Sequence, residues 1–141
     1  MHNRSLRFRT ERFEYQAELP EDDNAGNRFY GADVAEFLAQ GLSDGGLGMD
    51  YLDEDWGWSV FGKTDDGLFL EIAIYQLSED GTPGESGTNE WGLWLRAHEK
   101  TKWLGLFTRT REVEVPPAFA DRLRALLAGA GIEARPWKTP G

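Results

Sequence analysis

Residues 56–77, WGWSVFGKTDDGLFLEIAIYQL, decide the fold class. Trp56-Gly57-Trp58-Ser59-Val60-Phe61 is rich in aromatic and β-branched residues, which suit a pleated, half-buried backbone. Thr64-Asp65-Asp66-Gly67 follows, and an Asp-Gly pair tolerates the positive φ that tight hairpin turns demand. From Leu68 to Leu77 the side chains alternate. Leu70, Ile72 and Ile74 point to one face, and Phe69, Glu71, Ala73 and Tyr75 to the other. The second face is half apolar, so this strand is expected in the centre of a sheet. The same stretch also spells a phosphate-loop pattern, G-x-x-x-x-G-K-[ST], from Gly57 to Thr64. That chemistry needs a helix directly after the lysine, whose N-terminus and free N–H groups cradle the phosphate. Here the intervening residues are bulky strand formers, two aspartates follow Lys63, and another strand comes next. The pattern therefore reads as a hairpin.

Downstream, Ser78 to Asn89 contains Gly81, Pro83, Gly84 and Gly87 and reads as an exposed loop. Trp91, Leu93, Leu95 and Ala97 then alternate with Gly92, Trp94 and Arg96, giving the third strand of a meander. Residues 98–111 mix basic and apolar types without a period and read as a loop, with a helical turn around Trp103 to Phe107. Pro116-Pro117 opens a helix, proline being tolerated in a first turn. Its buried stripe is Phe119, Leu123, Leu126, Leu127 and Ala130, with Arg122 and Arg124 outward and Gly129 and Gly131 at its end. Ile132 to Trp137 reads as a short edge strand.

Upstream, Leu6, Phe8 and Thr10 alternate with Arg7, Arg9 and Glu11. A change of parity at Phe13 and Tyr15 implies a bulge or bend near Arg12. Glu18 to Asn27 is a polar loop. Asp33 fits an N-cap with Glu36 three positions on, and Val34, Phe37, Leu38 and Leu42 share one helical face. Gly41 weakens that helix and Gly45-Gly46 end it. The order strand, helix, three-stranded meander, helix, short strand predicts one α+β domain over residues 1–141. Its antiparallel sheet carries two helices on one face, and its ends, about 1–4 and 138–141, are flexible.

A chain of 141 residues suits one domain. With 40% hydrophobic and 13% aromatic residues it can bury a core. The absence of cysteine excludes disulfide frameworks, thiol nucleophiles and cysteine-ligated zinc. No apolar stretch matches an export signal or a membrane span, so the cytoplasm is the expected compartment and no membrane partner is expected. The net charge of -10 argues against nucleic-acid binding. That charge is distributed in blocks: residues 1–12 carry +3, residues 13–95 carry -17, and residues 96–141 carry +4.

The densest acidic-aromatic cluster is Asp50-Tyr51-Leu52-Asp53-Glu54-Asp55-Trp56-Gly57-Trp58. Calcium-loop spacing fails there, because Gly57 stands where the third ligand should be and Thr64 where the closing glutamate should be. No metal and no cofactor are expected. Carboxylates beside tryptophans also suit a small carboxylate-dependent enzyme or a sugar-binding domain, in which two acids flank a sugar stacked on aromatics. A third reading is a recognition patch: Asp50, Asp53, Glu54 and Asp55 steer a basic protein partner, and Trp56 or Trp58, if exposed, anchors it. Ser59 lacks the glycine of a nucleophile elbow, since Phe61 stands two positions on. His98 reads as an ordinary surface residue. Lys100, Lys102, Trp103, Arg109 and Arg111 form a basic, aromatic segment. It could contact anions or join two copies in a homodimer, but is expected mainly to fold back onto the acidic middle.

The Asp53-to-Trp58 cluster, the hairpin after it and the Trp91-to-Leu95 strand resemble small uncharacterised bacterial α+β proteins. They are also similar in style to immunity proteins that neutralise polymorphic toxins. The resemblance covers roughly residues 30–130. It implies an acidic surface opposed to a basic toxin and brings no catalytic residues with it. The expected function is a non-catalytic acidic protein-binding domain, an inhibitor in its sharpest form. The alternatives are the carboxylate enzyme or sugar binder and a housekeeping domain that self-associates through its basic segment.

Overall fold

The Asp66-Gly67 turn closes the hairpin on which the sheet is built. Gly67 takes φ +90, the Thr64 N–H donates to the Leu68 carbonyl at 2.8 Å, and the Gly67 N–H donates to the Thr64 carbonyl at 3.0 Å. The Thr64 hydroxyl accepts the Leu68 N–H at 3.0 Å and donates to the Asp66 carboxylate. In the computed structural model, which describes residues 5–10, 32–43, 47–54, 57–77, 90–103 and 107–137, this turn joins β3 (Gly57–Lys63) to β4 (Phe69–Gln76). Strand follows Lys63 where a phosphate loop needs helix. The pattern's two glycines have a packing reason instead. A Cβ on Gly57 would strike the Ile74 carbonyl, and one on Gly62 would strike the Gly48 carbonyl and lie 2.5 Å from the Met49 sulfur.

Around that hairpin stand β1 (Ser5–Arg9), α1 (Ala32–Ser43), β2 (Gly48–Glu54), β5 (Glu90–Trp103), β6 (Phe107–Val113), α2 (Pro117–Gly129) and β7 (Arg135–Pro136). The sheet order is β2-β3-β4-β5-β1-β7, every described pairing is antiparallel, and β6 joins the far half of β5. The chain is thus an α+β fold whose meander is central, as its sequence predicts.

Two stretches differ from expectation. The acidic stretch after Gly48 is a full strand, β2, where the sequence reading has only a strand entry. Residues 98–103 and 107–111 are not a loop with a helical turn but the two arms of a hairpin, paired from Ala97↔Val113 to Trp103↔Phe107. The physical reason lies in the register. β4 reaches only to Phe69, opposite His98, so among the described residues 99–103 pair with β6 alone. A two-stranded ribbon has no buried face to impose alternation on its sequence.

The helices lie on one face of the sheet. Val34, Ala35, Leu38, Ala39 and Leu42 of α1 and Phe119, Ala120, Leu123 and Leu127 of α2 share one buried cluster with the inward rows of the strands. Those rows include Trp58, Val60, Leu70, Ile72, Ile74, Trp91, Leu93, Leu95, Leu6 and Phe8. Each such side chain stabilises the fold by roughly 1.5–3 kcal/mol relative to exposure. Gly41 is more than a weak point in α1: a Cβ there would lie 2.5 Å from Leu126 Cδ1, so the glycine seats α2 against α1. Arg122 does not simply face outward. Its Nη2 donates to the Leu42 carbonyl at 2.9 Å and satisfies an acceptor in the last turn of α1.

Helix α2 ends in a Schellman motif. The Ile132 N–H donates to the Leu127 carbonyl at 2.9 Å and the Gly131 N–H to the Ala128 carbonyl at 3.0 Å, with Gly131 at φ +77. Asp33 lies in the first turn of α1 instead of before it, and its Oδ1 accepts the Val34 N–H at 3.0 Å. The bend near Arg12, the loops Glu18 to Asn27 and Ser78 to Asn89, Gly45-Gly46 and both chain ends fall outside the described residues. Among the described residues no helix is long and apolar enough to cross a membrane.

Candidate functional site

Among the described residues, strand β2 is one edge of the sheet and pairs with β3 alone. Its alternation sends Met49 and Tyr51 towards the helices, where both pack on the core cluster. Tyr51 lies against Trp58, ring centroids 6.2 Å apart. Burial first, then the charges of Glu36 and Asp50, hold the Tyr51 phenol above its usual 10.0. Asp50 and Leu52 fall on the other face, opposite Phe61 and Ser59 respectively. Leu52 and Phe61, 42% and 36% exposed, are the exposed large hydrophobics of the described residues. They are diagonal neighbours on paired strands, close enough to form one contact surface.

Asp50 borders that pair of apolar side chains. It is exposed, its Oδ1 accepts the Tyr51 N–H at 2.8 Å, and among the described residues no basic group ion-pairs with it. Asp53 and Glu54 continue β2, opposite Trp58 and Gly57 in the ladder, while Asp55 and Trp56 lie outside the described residues. Trp58 is 5% exposed and cannot anchor a partner. Its parity in β3 is that of Val60, and both enter the core. The same alternation leaves Phe61 outside. The apolar members of the patch, Leu52 and Phe61, were thus missed by sequence reasoning, although the parity of Val60 could have revealed Phe61.

The basic segment sits elsewhere. Lys100 stands in β5 opposite Thr110, Lys102 opposite Thr108 and Trp103 opposite Phe107, with Arg109 and Arg111 on β6. Lys100, Arg109 and Arg111 are exposed. Between β2 and β6 stand β3, β4 and β5, a separation of about 19 Å at ~4.8 Å per strand. The hairpin is thus set apart by the strand order from Asp50, Asp53 and Glu54 of β2. Its charges are partly matched locally, Arg111 with Glu99 and Arg96 with Glu112 at 3.6 Å.

The positive flanks do meet the acidic middle, but at Glu90. Its buried carboxylate faces Arg7 Nη2 at 3.3 Å, Arg135 Nη2 at 3.5 Å and Arg9 Nε at 3.9 Å. Those three arginines are drawn to one carboxylate on β5, and Asp50 stays uncovered.

Ser59 is buried, and its hydroxyl donates to Glu71 Oε2 at 3.1 Å. His98 lies in β5 opposite Phe69. Among the described residues no three histidine or carboxylate side chains are grouped to hold a metal ion. Among the described residues, β2 brings together a strand edge with no second partner, negative charge and exposed apolar surface. Compared with protein families, with curated proteins and with solved structures, the chain shows no match in any of the three.

Proposed function

We propose that this protein is a non-catalytic binding domain that presents the edge and outer face of β2 to a basic segment of another protein. The observation that carries the proposal is the coincidence of Asp50, without an ion-pair partner among the described residues, with exposed Leu52 beside it on β2 and exposed Phe61 on the neighbouring β3. Acidic residues on an edge strand can also serve only to repel other strands. A guard of that kind has no need of Leu52 and Phe61 beside it. Covering them stabilises a complex by about 1 kcal/mol each, since both are already partly buried. Asp50, Asp53 and Glu54 would raise the encounter rate with a basic partner, and the free strand edge could accept an added strand. An inhibitor of the immunity-protein kind is the specific form this reading takes.

The test compares the wild-type chain with Asp50→Lys/Asp53→Lys and with Leu52→Ser on a biosensor loaded with a captured partner. Charge reversal should slow association roughly tenfold, and more at low salt than at high salt. Leu52→Ser should mainly speed dissociation. Unchanged rates in both variants would end the proposal.

A second reading has its own support: β2 is acidic, while β6, which among the described residues pairs with β5 alone, carries Arg109 and Arg111. Opposite signs on these two strands favour head-to-tail pairing of copies. Salt-sensitive association in sedimentation that is abolished by Arg109→Glu would support it, and a monomer at every concentration would end it.

A further inference from the structure

On a chain of net charge -10, the sheet face away from the helices gathers cations around one aromatic ring. Lys63 and Phe69 are partners in the β3–β4 ladder, and Phe69 and His98 are partners in the β4–β5 ladder. Lys100 lies two positions beyond His98, on the same face. The Lys63 ammonium sits 5.3 Å from the centroid of the Phe69 ring and the Lys100 ammonium 5.0 Å from it. Both are within the ~6 Å over which a ring face attracts a cation. Two ammonium groups sharing one ring repel each other. Among the described residues neither has a carboxylate within ion-pair distance. A cavity of about 350 Å³ opens there, lined by Phe61, Phe69, Glu71, His98, Lys100 and Thr110. Its acid, Glu71, accepts a hydrogen bond from the buried Ser59 hydroxyl, and the neighbouring Glu112 is taken by Arg96.

We propose that this cavity binds a small organic anion with a flat apolar body, of the aryl phosphate or aryl carboxylate class. The body stacks between Phe61 and Phe69. The oxyanion lies between the Lys63 and Lys100 ammonium groups and relieves their repulsion. The His98 imidazole N–H and the Thr110 hydroxyl supply further donors at the rim. The volume is at the lower end of the ~300–1,000 Å³ typical of ligand sites, which selects a single-ring molecule over a dinucleotide. The site shares Phe61 with the protein-binding surface of β2, but its anion grip is Lys63 and Lys100 on the Phe69 ring, which that surface does not use, so the two readings fail separately.

The test is a titration of the full-length, isotope-labelled chain with phenyl phosphate, followed by amide and side-chain NMR shifts at low salt. Inorganic phosphate, benzyl alcohol and a short single-stranded oligonucleotide serve as comparison probes. The expected result is saturable shifts at 61–63, 69–71, 98–100 and 110, with phenyl phosphate binding about tenfold tighter than either inorganic phosphate or benzyl alcohol. Lys63→Gln/Lys100→Gln removes two exposed charges and leaves the core alone, so it keeps its fold and should weaken binding about tenfold or more. Phe69→Leu should remove the preference for phenyl phosphate over inorganic phosphate. Four outcomes would overturn the proposal: no saturation by about 10 mM ligand, shifts centred elsewhere, equal affinity in the double lysine variant, or tighter binding of the oligonucleotide than of phenyl phosphate.

Discussion

Replacing Glu90 with glutamine should be among the most damaging isosteric changes in this protein, by an amount its surroundings let us work out. The Glu90 side chain is 5% exposed, and it faces Arg7, whose side chain is 18% exposed, and Arg9 and Arg135, at 61% and 60%. The two exposed arginines can return to water, so losing their partner costs about 0–1 kcal/mol each. Arg7 cannot. It approaches the carboxylate with two nitrogens, Nη2 at 3.3 Å and Nε at 3.5 Å, a charge-assisted pair of about 1.5–3 kcal/mol. Without the negative charge, three guanidinium groups, two from β1 and one from β7, also face one another. The total is about 2–4 kcal/mol, near the lower limit for breaking a buried ion pair. Urea unfolding at neutral pH should show a midpoint lowered by about 1–2 M for a slope near 2 kcal/mol/M. Arg7→Gln should cost about as much, whereas Arg9→Gln and Arg135→Gln should each stay below about 1 kcal/mol. A midpoint shift under about 0.3 M for Glu90→Gln, or equal losses from all three arginines, would refute the reasoning.

Other consequences follow from close contacts and backbone angles. Trp137 lies over Gly92, where an added Cβ would sit 2.9 Å from its ring, and beside Tyr75 at 5.6 Å between centroids; Gly92→Ala should displace that ring, change its fluorescence and cost about 1–3 kcal/mol. The same substitution in a Trp137→Ala background should cost distinctly less, and strict additivity would contradict the packing. Gly131→Ala has open space but a φ of +77, so it should lose about 1 kcal/mol in thermal or urea unfolding without altering near-ultraviolet spectra. Burial first, with Glu71 adding and Arg96 opposing, holds the Tyr75 phenol above 10.0. The folded state then keeps this proton longer than the unfolded one. Its stabilisation is complete below the unfolded pKa and is lost as pH climbs through the folded value. Urea unfolding between about pH 9 and 11 should decline more steeply for wild type than for Tyr75→Phe, and parallel curves would contradict this.

How much of this could be read from residues alone follows the helices' shadow on the sheet. Where a strand lies beneath α1 and α2, burial of one face imposes alternation, and β3, β4 and the near half of β5 are legible in their sequence. Beyond that cover the alternation vanishes. His98-Glu99-Lys100-Thr101-Lys102 is polar at every position, and its strand conformation comes from pairing with β6, a partner that no local pattern names. Strand β2 hides for a related reason: as an edge strand it carries Asp50, Asp53 and Glu54, residue types that usually argue against a strand. Gly41 reads as a defect in a helix because the sequence cannot show Leu126 arriving from α2. The candidate site divides the same way. Its acidic members stand out in composition, but whether Trp58 or Phe61 faces water depends on strand parity, and Val60 is the residue that sets it. The convergence of Arg7, Arg9 and Arg135 on Glu90 joins three strands distant in sequence and has no local signature.

The position of β1 between β5 and β7 has a bearing on how the chain is made. Arg7 and Glu90 are 83 positions apart, and at ~5–20 residues per second a ribosome needs about 4–17 s to extend the chain between them. Throughout that interval Leu6 and Phe8, each 1% exposed in the finished fold, have no β5 to lie against. For those seconds the apolar row of β1 waits for the strand that will close over it.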